Sequence, residues 1–262
     1  EQTRKVPNNV NVYPITYNDS YVKKIKSLGK ALVSKDKEMH LRVKKDAKMN
    51  IVRRLYDYYF ESRTNESLSQ IIEILQTITF DEKDDITLYS YWMHATAKIA
   101  VEVKKAFFKE KVAFSFTRAH RYDVDIVASP IGFLPEREYL LDNLDRVYCI
   151  SSSSQHYLQQ TYPEFKEKVS TSRLGTSRRA ENAIAENRPY QLVSCSLLRS
   201  VKNVNLIVDA LAILEEKSNI EIEWTHFGNG PEFEKIKNAV SQKLSRTKTY
   251  LPGYVSNKDV LT

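Results

Sequence analysis

Three stretches of the chain place chemically useful residues where a strand-like run gives way to a helix-like one. The first is Ser196-Leu-Leu-Arg-Ser-Val-Lys202-Asn203. A lysine just ahead of a helix start combines a point charge with free backbone N–H donors, which suits a diphosphate; a merely solvated lysine at a helix start looks the same. The second is Phe227-Gly228-Asn229-Gly230-Pro231. Its two glycines either admit a ligand close to the backbone or simply make a tight turn. The third is Ser115-Phe-Thr-Arg-Ala-His-Arg-Tyr-Asp123, which comes after an apolar run, so Arg118, His120 and Asp123 are expected near a sheet's carboxyl edge. A histidine there can accept a proton or hydrogen-bond a sugar hydroxyl near neutral pH; it can equally be a satisfied structural residue.

Other chemistries lack their residues. Neither Gly-x-Gly-x-x-Gly nor a Walker-type Gly-Lys-Ser/Thr occurs, and no glycine lies between Gly29 and Gly132. A glycine-rich phosphate loop is therefore missing. His40, His94, His156 and His226 have no companions at metal-ligand spacing, so no metal and no resident cofactor is expected. Cys149 and Cys195 match neither a zinc pattern nor Cys-x-x-Cys and, lying in apolar runs, are expected as buried thiols.

The elements that must position these residues can be read from apolar periodicity. Ile86-Thr-Leu-Tyr89, Val112-Ala-Phe-Ser-Phe116 and Arg146-Val-Tyr-Cys-Ile150 read as strands, with helical stretches at 94–111 and 155–162 between and after them. Leu68, Ile71, Ile72, Leu75 and Ile78 form one helical stripe, for which Asn65 is the predicted N-cap, and Val10-Asn-Val-Tyr13 reads as a strand. This alternation predicts a parallel sheet with helices on both faces. The polar, alanine-rich stretch 176–189 reads as a linker between a first domain, 1–175, and a second, 190–262. In the second, strands at 191–195, 220–227 and 249–251 alternate with helices at 203–216 and 232–244, too little for a complete doubly wound domain. The chain begins at Glu1 without methionine and stops in the first turn of a helix expected from Asn257-Lys-Asp259. Both domains are therefore expected to be incomplete, as in a piece excised from a longer protein.

The 262 residues carry 40 Lys+Arg against 33 Asp+Glu, a formal balance of +7, with 42% hydrophobic and 28% charged residues. Collagenous, mucin-like and wholly disordered chains are excluded. No apolar run approaches the ~18 residues of a spanning helix and no signal-peptide core is visible, so a soluble, cytoplasmic protein is expected. The charge is concentrated: residues 21–54 hold twelve Lys/Arg and three Asp/Glu, a balance of +9. A basic helical face of this kind either meets anionic lipid headgroups or a phosphorylated acceptor, or is simply solvated. Without a helix-turn-helix, zinc-finger or ribonucleoprotein motif, nucleic acid is not an expected partner.

Taken in order, several strings resemble a family 4 glycosyltransferase of the GT-B fold. They are Tyr89-Ser-Tyr-Trp92; Thr117-Arg-Ala-His-Arg-Tyr-Asp123; Asp145-Arg-Val-Tyr-Cys-Ile-Ser151; Ser172-Arg-Leu-Gly-Thr176; Val193-Ser-Cys-Ser196 with Val201-Lys-Asn203; Thr225-His-Phe-Gly-Asn-Gly-Pro231; and Gly253-Tyr-Val-Ser-Asn257. The likeness is greatest to bacterial enzymes that build capsule, exopolysaccharide or lipopolysaccharide. It implies two Rossmann-like domains with parallel sheets flanked by helices. It also implies transfer of a sugar from a UDP- or GDP-linked donor to a glycan or lipid-linked acceptor, usually with retention and without a metal. The basic stretch 21–54 adds the option that this cytoplasmic protein is peripheral on the inner membrane, with 21–54 as the contact.

By the same resemblance, Lys202 matches the lysine that neutralises the donor diphosphate. Ser196, Gly228, Asn229, Gly230, Tyr254 and Val255 match loops near the nucleotide. His120 matches a histidine near the transferred sugar, with Arg118 beside it. Two departures stand out. Leu197 occupies a position where many members carry arginine, leaving Arg199 or Arg173 as substitutes, and the Glu-x₇-Glu element that contacts the donor sugar is expected beyond Thr262. The 262 residues by themselves are thus expected to lack transferase activity. A nucleotide-sugar epimerase of the same fold and a non-catalytic docking module are the alternatives.

Overall fold

A computed structural model of the chain describes residues 6–16, 20–48, 50–81, 83–108, 113–129, 131–175, 189–256 and 260. The chain divides into two compact units, Glu1–Ser177 and Arg178–Thr262. Residues 176–188, nearly all of the expected linker, lie outside the described residues, as does the expected helix start at 257–259.

The first unit is built on four parallel strands in the order β1 (Ile86–Ser90), β2 (Ala113–Ala119), β3 (Arg146–Cys149) and β4 (Val169–Thr171). Around and between them run α1 (Tyr21–Leu32), α2 (Lys37–Ala47), α3 (Ile51–Gln76), α4 (Ala95–Val103), α5 (Arg121–Val124), α6 (Arg137–Asn143) and α7 (Ser152–Thr161). Parallel neighbours need crossover connections, and crossovers that step along the sheet in one direction with one hand set down their helices on one face. That face buries Ala119, Val147, Cys149 and Val169 against Ala97 and Val101 of α4, Leu140 and Leu141 of α6, and Leu158 of α7. The opposite face carries a half-exposed aromatic row in which Tyr89 stacks on Phe116 at 4.8 Å and Phe116 meets Tyr148 edge-on at 5.5 Å. The expected parallel sheet flanked by helices is thus present, with the helices of this core on one face because the strand order never reverses.

Three other local expectations change in the fold. The helix expected from Asn65 is the second half of α3, which starts fifteen residues earlier, where the side chain of Asn50 accepts from the N–H of Arg53 at 3.0 Å. Nothing between them breaks a helix, so Asn65 sits mid-helix, and Leu68, Ile71 and Leu75 pack against Ile99, Val103 and Phe108. Residues 10–13 are exposed and outside regular structure; among the described residues no strand pairs with them. The helix expected over 94–111 is α-helical to Val103 and widens to a π-helical turn, Lys104–Phe108, while residues 109–111 lie outside the described residues.

The second unit holds β5 (Tyr190–Cys195), β6 (Ile222–Phe227) and β7 (Lys248–Gly253), parallel and in that order, with α8 (Asn205–Lys217) and α9 (Phe233–Lys243) as crossovers. Its core is Leu198, Val204, Val208, Leu211, Trp224 and Ile236. Among the described residues β5 has a strand on one side only, and its face is open, so Cys195 is exposed, against expectation, whereas Cys149 is buried in the first core and its thiol is pushed up to about 12 by desolvation.

Candidate active site

The carboxyl ends of β5, β6 and β7 lie side by side and are joined through the backbone. The N–H of Ser196 donates to the carbonyl of Phe227 at 3.0 Å, that of Leu198 to Asn229 at 3.0 Å, that of Gly228 to Gly253 at 2.8 Å, and that of Glu232 to Leu198 at 3.1 Å. These bonds require the turns after β5 and β6 to approach closely. A Cβ on Gly230 would stand 2.4 Å from the carbonyl oxygen of Leu198. Of the two roles open to these glycines, close packing of one turn on the next is the one the geometry requires.

A buried chain of hydrogen bonds stands behind this surface. The indole N–H of Trp224 donates to Ser194 Oγ at 2.9 Å, the hydroxyl of Ser194 donates to Nδ1 of His226 at 2.8 Å, and Nε2–H of His226 donates to the carbonyl of Ser196 at 3.2 Å. Each donor then has one acceptor only if the imidazole is neutral and protonated on Nε2. Burial agrees, pushing the His226 pKa down. The alternation of Trp224 and His226 along β6 is visible in the sequence, but their partner Ser194 lies thirty residues away and no local pattern points to it.

Lys202 ends a 3₁₀ turn, Ser200–Lys202, and Asn203 comes next at φ +49°, a conformation asparagine tolerates. Helix α8 begins at Asn205, two residues later than expected, with no side chain capping its first turn. Within that turn the N–H of Leu206 donates to the carbonyl of Asn203 at 3.1 Å and that of Ile207 to Val204 at 3.0 Å. Lys202 and Arg199 are exposed just ahead of it, and Asn229 and Tyr254 are exposed as well; Ser196 and Val255 are half-buried. The seven nucleotide-side residues expected from the sequence thus share one edge of the second sheet, with Leu197, 55% exposed, among them. Arg173 belongs to the first unit, just past β4.

At the carboxyl edge of the first sheet, His120 comes directly after β2 and is 6% exposed. Its ring lies 4.2 Å from that of Trp92 and 4.7 Å from that of Tyr91, and its Nε2 has no partner among the described residues. Asp123, expected at the open edge, instead turns inward, accepting from the N–H of His120 at 2.5 Å and of Met93 at 2.6 Å; burial holds its pKa above the ordinary carboxylate range. Arg118 is also fixed, donating to the carbonyl of Ser172 at 2.8 Å.

Beside this edge lies a charged cluster the sequence did not reveal. Lys98, buried in α4, pairs with Glu61 and with Glu136 at 2.6 Å, and Arg42 reaches Glu61 at 3.1 Å. Desolvation, reinforced by neighbouring carboxylates, raises Glu136 to about 8 and Asp57 to about 9, while a hydrogen bond with Glu136, together with Lys98 and Arg42, brings Glu61 below the ordinary glutamate value despite its burial.

Residues 176–262 match the family model of Glycosyl transferases group 1. Among solved structures, the apo form of the lipopolysaccharide outer core galactosyltransferase WaaB shares 14% identity at a TM-score of 0.50, covering 75% of this chain and 50% of its own. A mutant of TarM from S. aureus, in complex with fondaparinux, α-GlcNAc-glycerol and UDP, shares 15% at 0.46, covering 72% and 37%. A UDP-N-acetylglucosamine 2-epimerase shares 10% at 0.41, covering 90% and 67%. No curated protein sequence matches the chain. The chain spans about half the length of the galactosyltransferase, and at such identities the likeness concerns the fold. The match over 176–262 is to the group 1 glycosyl transferases, and the chain carries the parallel-sheet α/β architecture of the GT-B glycosyltransferases.

Proposed function

We propose that the chain is part of a retaining glycosyltransferase that moves a sugar from a UDP- or GDP-linked donor to a hydroxyl of a glycan or lipid-linked acceptor. The supporting observation is the edge of the second sheet, inside the family match, where an exposed lysine stands beside the uncapped N-terminus of α8. Glycosyl transfer builds negative charge on the departing diphosphate, and a fixed cation with backbone donors lowers the energy of that charge. Lys202 takes this role, with Arg199 of the same unit as a second cation. Ser196, Asn229, Tyr254 and Val255 face the nucleotide. On the acceptor side, His120 offers its unpartnered Nε2 to a sugar hydroxyl, and Arg118 holds the strand ends around it.

A thermal-shift series with UDP-glucose, UDP-N-acetylglucosamine and GDP-mannose tests the reading. One donor raises the melting temperature by binding only the native state, and Lys202→Ala weakens that donor about tenfold or more. No response to any nucleotide sugar overturns it.

The same reading holds the protein at an anionic membrane surface. α1 presents Tyr21, Val22 and Ile25 to solvent among Lys23, Lys24 and Lys26, the mixture of apolar and basic side chains that interfacial helices use. No described helix is long and apolar enough to cross a membrane. Sedimentation with vesicles containing phosphatidylglycerol is expected to carry the protein down at low salt. If charge reversal of Lys23, Lys24, Lys44 and Lys45 leaves that binding unchanged, attachment through 21–54 is wrong.

A further inference from the structure

In the first unit, α2, the loop ahead of α6, and α7 with the turn after it line an open cavity of about 640 Å³. Its wall includes Arg137, which is 3% exposed. One guanidinium nitrogen, Nη1, donates to the carbonyl of Met93, but Nε and Nη2 have no partner among the described residues. A guanidinium carries five N–H donors in a rigid fork and stays charged, so its free edge calls for an acceptor of matching shape. The carboxylates that attract it are engaged elsewhere. Asp123 accepts from His120 and Met93, and Asp46 accepts from the N–H of Glu136 at 2.5 Å.

The other cations around the cavity are largely committed as well. Arg42 is held by Glu61 and Glu136, Lys45 by Glu138 at 2.7 Å, and Arg53 by the carbonyl of Gly132 at 3.3 Å. The remaining walls are of two kinds. Tyr157, Tyr162, Phe133 and Phe165 offer ring faces, while Asp142 and Glu164 offer exposed carboxylates at the rim. Ring faces take the C–H faces of a sugar, carboxylates accept from its hydroxyls, and a forked guanidinium binds an oxyanion bidentately. The volume lies within the ~300–1,000 Å³ of small-molecule sites.

We propose that this cavity binds an anionic saccharide, a hexose bearing a carboxylate or a phosphate, with the charged group on the free edge of Arg137 and the hydroxyls toward Asp142 and Glu164. The site lies in the first unit and does not depend on the donor reading, since it uses none of the residues assigned to the nucleotide.

Calorimetric titration of the full chain with glucuronate, glucose 6-phosphate, glucose and inorganic phosphate, at constant ionic strength, tests it. At least one of the two anionic sugars is expected to bind, at least tenfold more tightly than glucose or inorganic phosphate. The one that binds identifies the group as carboxylate or phosphate ester. Arg137→Lys keeps the charge but loses the fork, and is expected to weaken binding about tenfold. Should that variant fail to fold, Lys48→Glu at the rim and Tyr157→Ser in the wall serve instead, each expected to weaken binding severalfold. Lys202→Ala leaves this binding unchanged, which separates it from the nucleotide-sugar reading. Absence of binding by both anionic sugars overturns the proposal. So does undiminished binding in the cavity variants, or equal binding of glucose or of inorganic phosphate.

Discussion

The carbonyl oxygen of Ser196 lies 1.8 Å from the point where a Cβ on Gly228 would stand. The obstacle is backbone, not the end of a flexible side chain, and Gly228 has φ +144°, where side chains are strained in any case. Gly228→Ala must therefore separate the β5 and β6 turns, at an expected loss of about 3 kcal/mol from the second unit. Urea unfolding monitored by Trp224 fluorescence reads it. A variant within about 0.5 kcal/mol of the parent would show that the turns have room to part.

Leu197 stands half-exposed on the same edge as Lys202. Under the donor reading, Leu197→Arg adds a second cation to the diphosphate site and is expected to tighten nucleotide-sugar binding about fivefold at low salt, with the gain shrinking as salt screens it. Titration at two ionic strengths measures both effects. Weaker binding at low salt would place the diphosphate away from this edge.

Asp57 and Glu136 hold protons in the folded state that the unfolded chain releases, with values of about 9 and about 8 against ordinary carboxylate values near 4. Their stabilising contribution is therefore complete below the unfolded value and is lost as pH rises through the folded ones. Each group that stays protonated only when folded lowers stability by about 1.4 kcal/mol per pH unit over that window. Asp57→Asn removes one such group, so its unfolding free energy is expected to fall less steeply than the parent's between about pH 5 and about pH 9. Parallel slopes in denaturant titrations would mean that Asp57 is ionised in the native state.

Glu215 shows the opposite sign. Burial works against its charge, but the N–H groups of Ser245, Arg246 and Thr247 donate to it at 2.9, 3.0 and 2.7 Å and bring it down to about 2. Its contribution is present above the ordinary glutamate value and is lost as pH falls through about 2. Glu215→Gln is expected to cost about 1 kcal/mol at neutral pH, the low end for bonds to a charged group because water screens the site. The difference from the parent should close in acid; a gap that persists there would have a cause other than charge.

The regular elements were largely legible in the sequence because they rest on local periodicity. The apolar runs that become β1, β2, β3, β5, β6 and β7 and the stripes of α8 and α9 lie close to where the pattern puts them. A strand at 10–13 was not, since a strand exists only if another strand lies alongside, and that depends on the rest of the chain. The start of α3 was misplaced because Asn65 has the chemistry of a cap but no break in the helix ahead of it, while Asn50 has both.

The residues of the candidate site were legible as types and places, and left open as roles. Sequence by itself set Lys202 ahead of a helix, two glycines after a strand, and His120 past the end of another, since chain order alone fixes which residues succeed a strand. Only the tertiary structure decided that Gly228 and Gly230 are needed for one turn to pack on another, that Asp123 turns inward, and that Arg137, in the wall of a cavity, keeps two buried nitrogens without a partner among the described residues. Those outcomes depend on which atoms meet across thirty or more residues, and packing, desolvation and hydrogen-bond geometry settle that only once the chain has closed on itself.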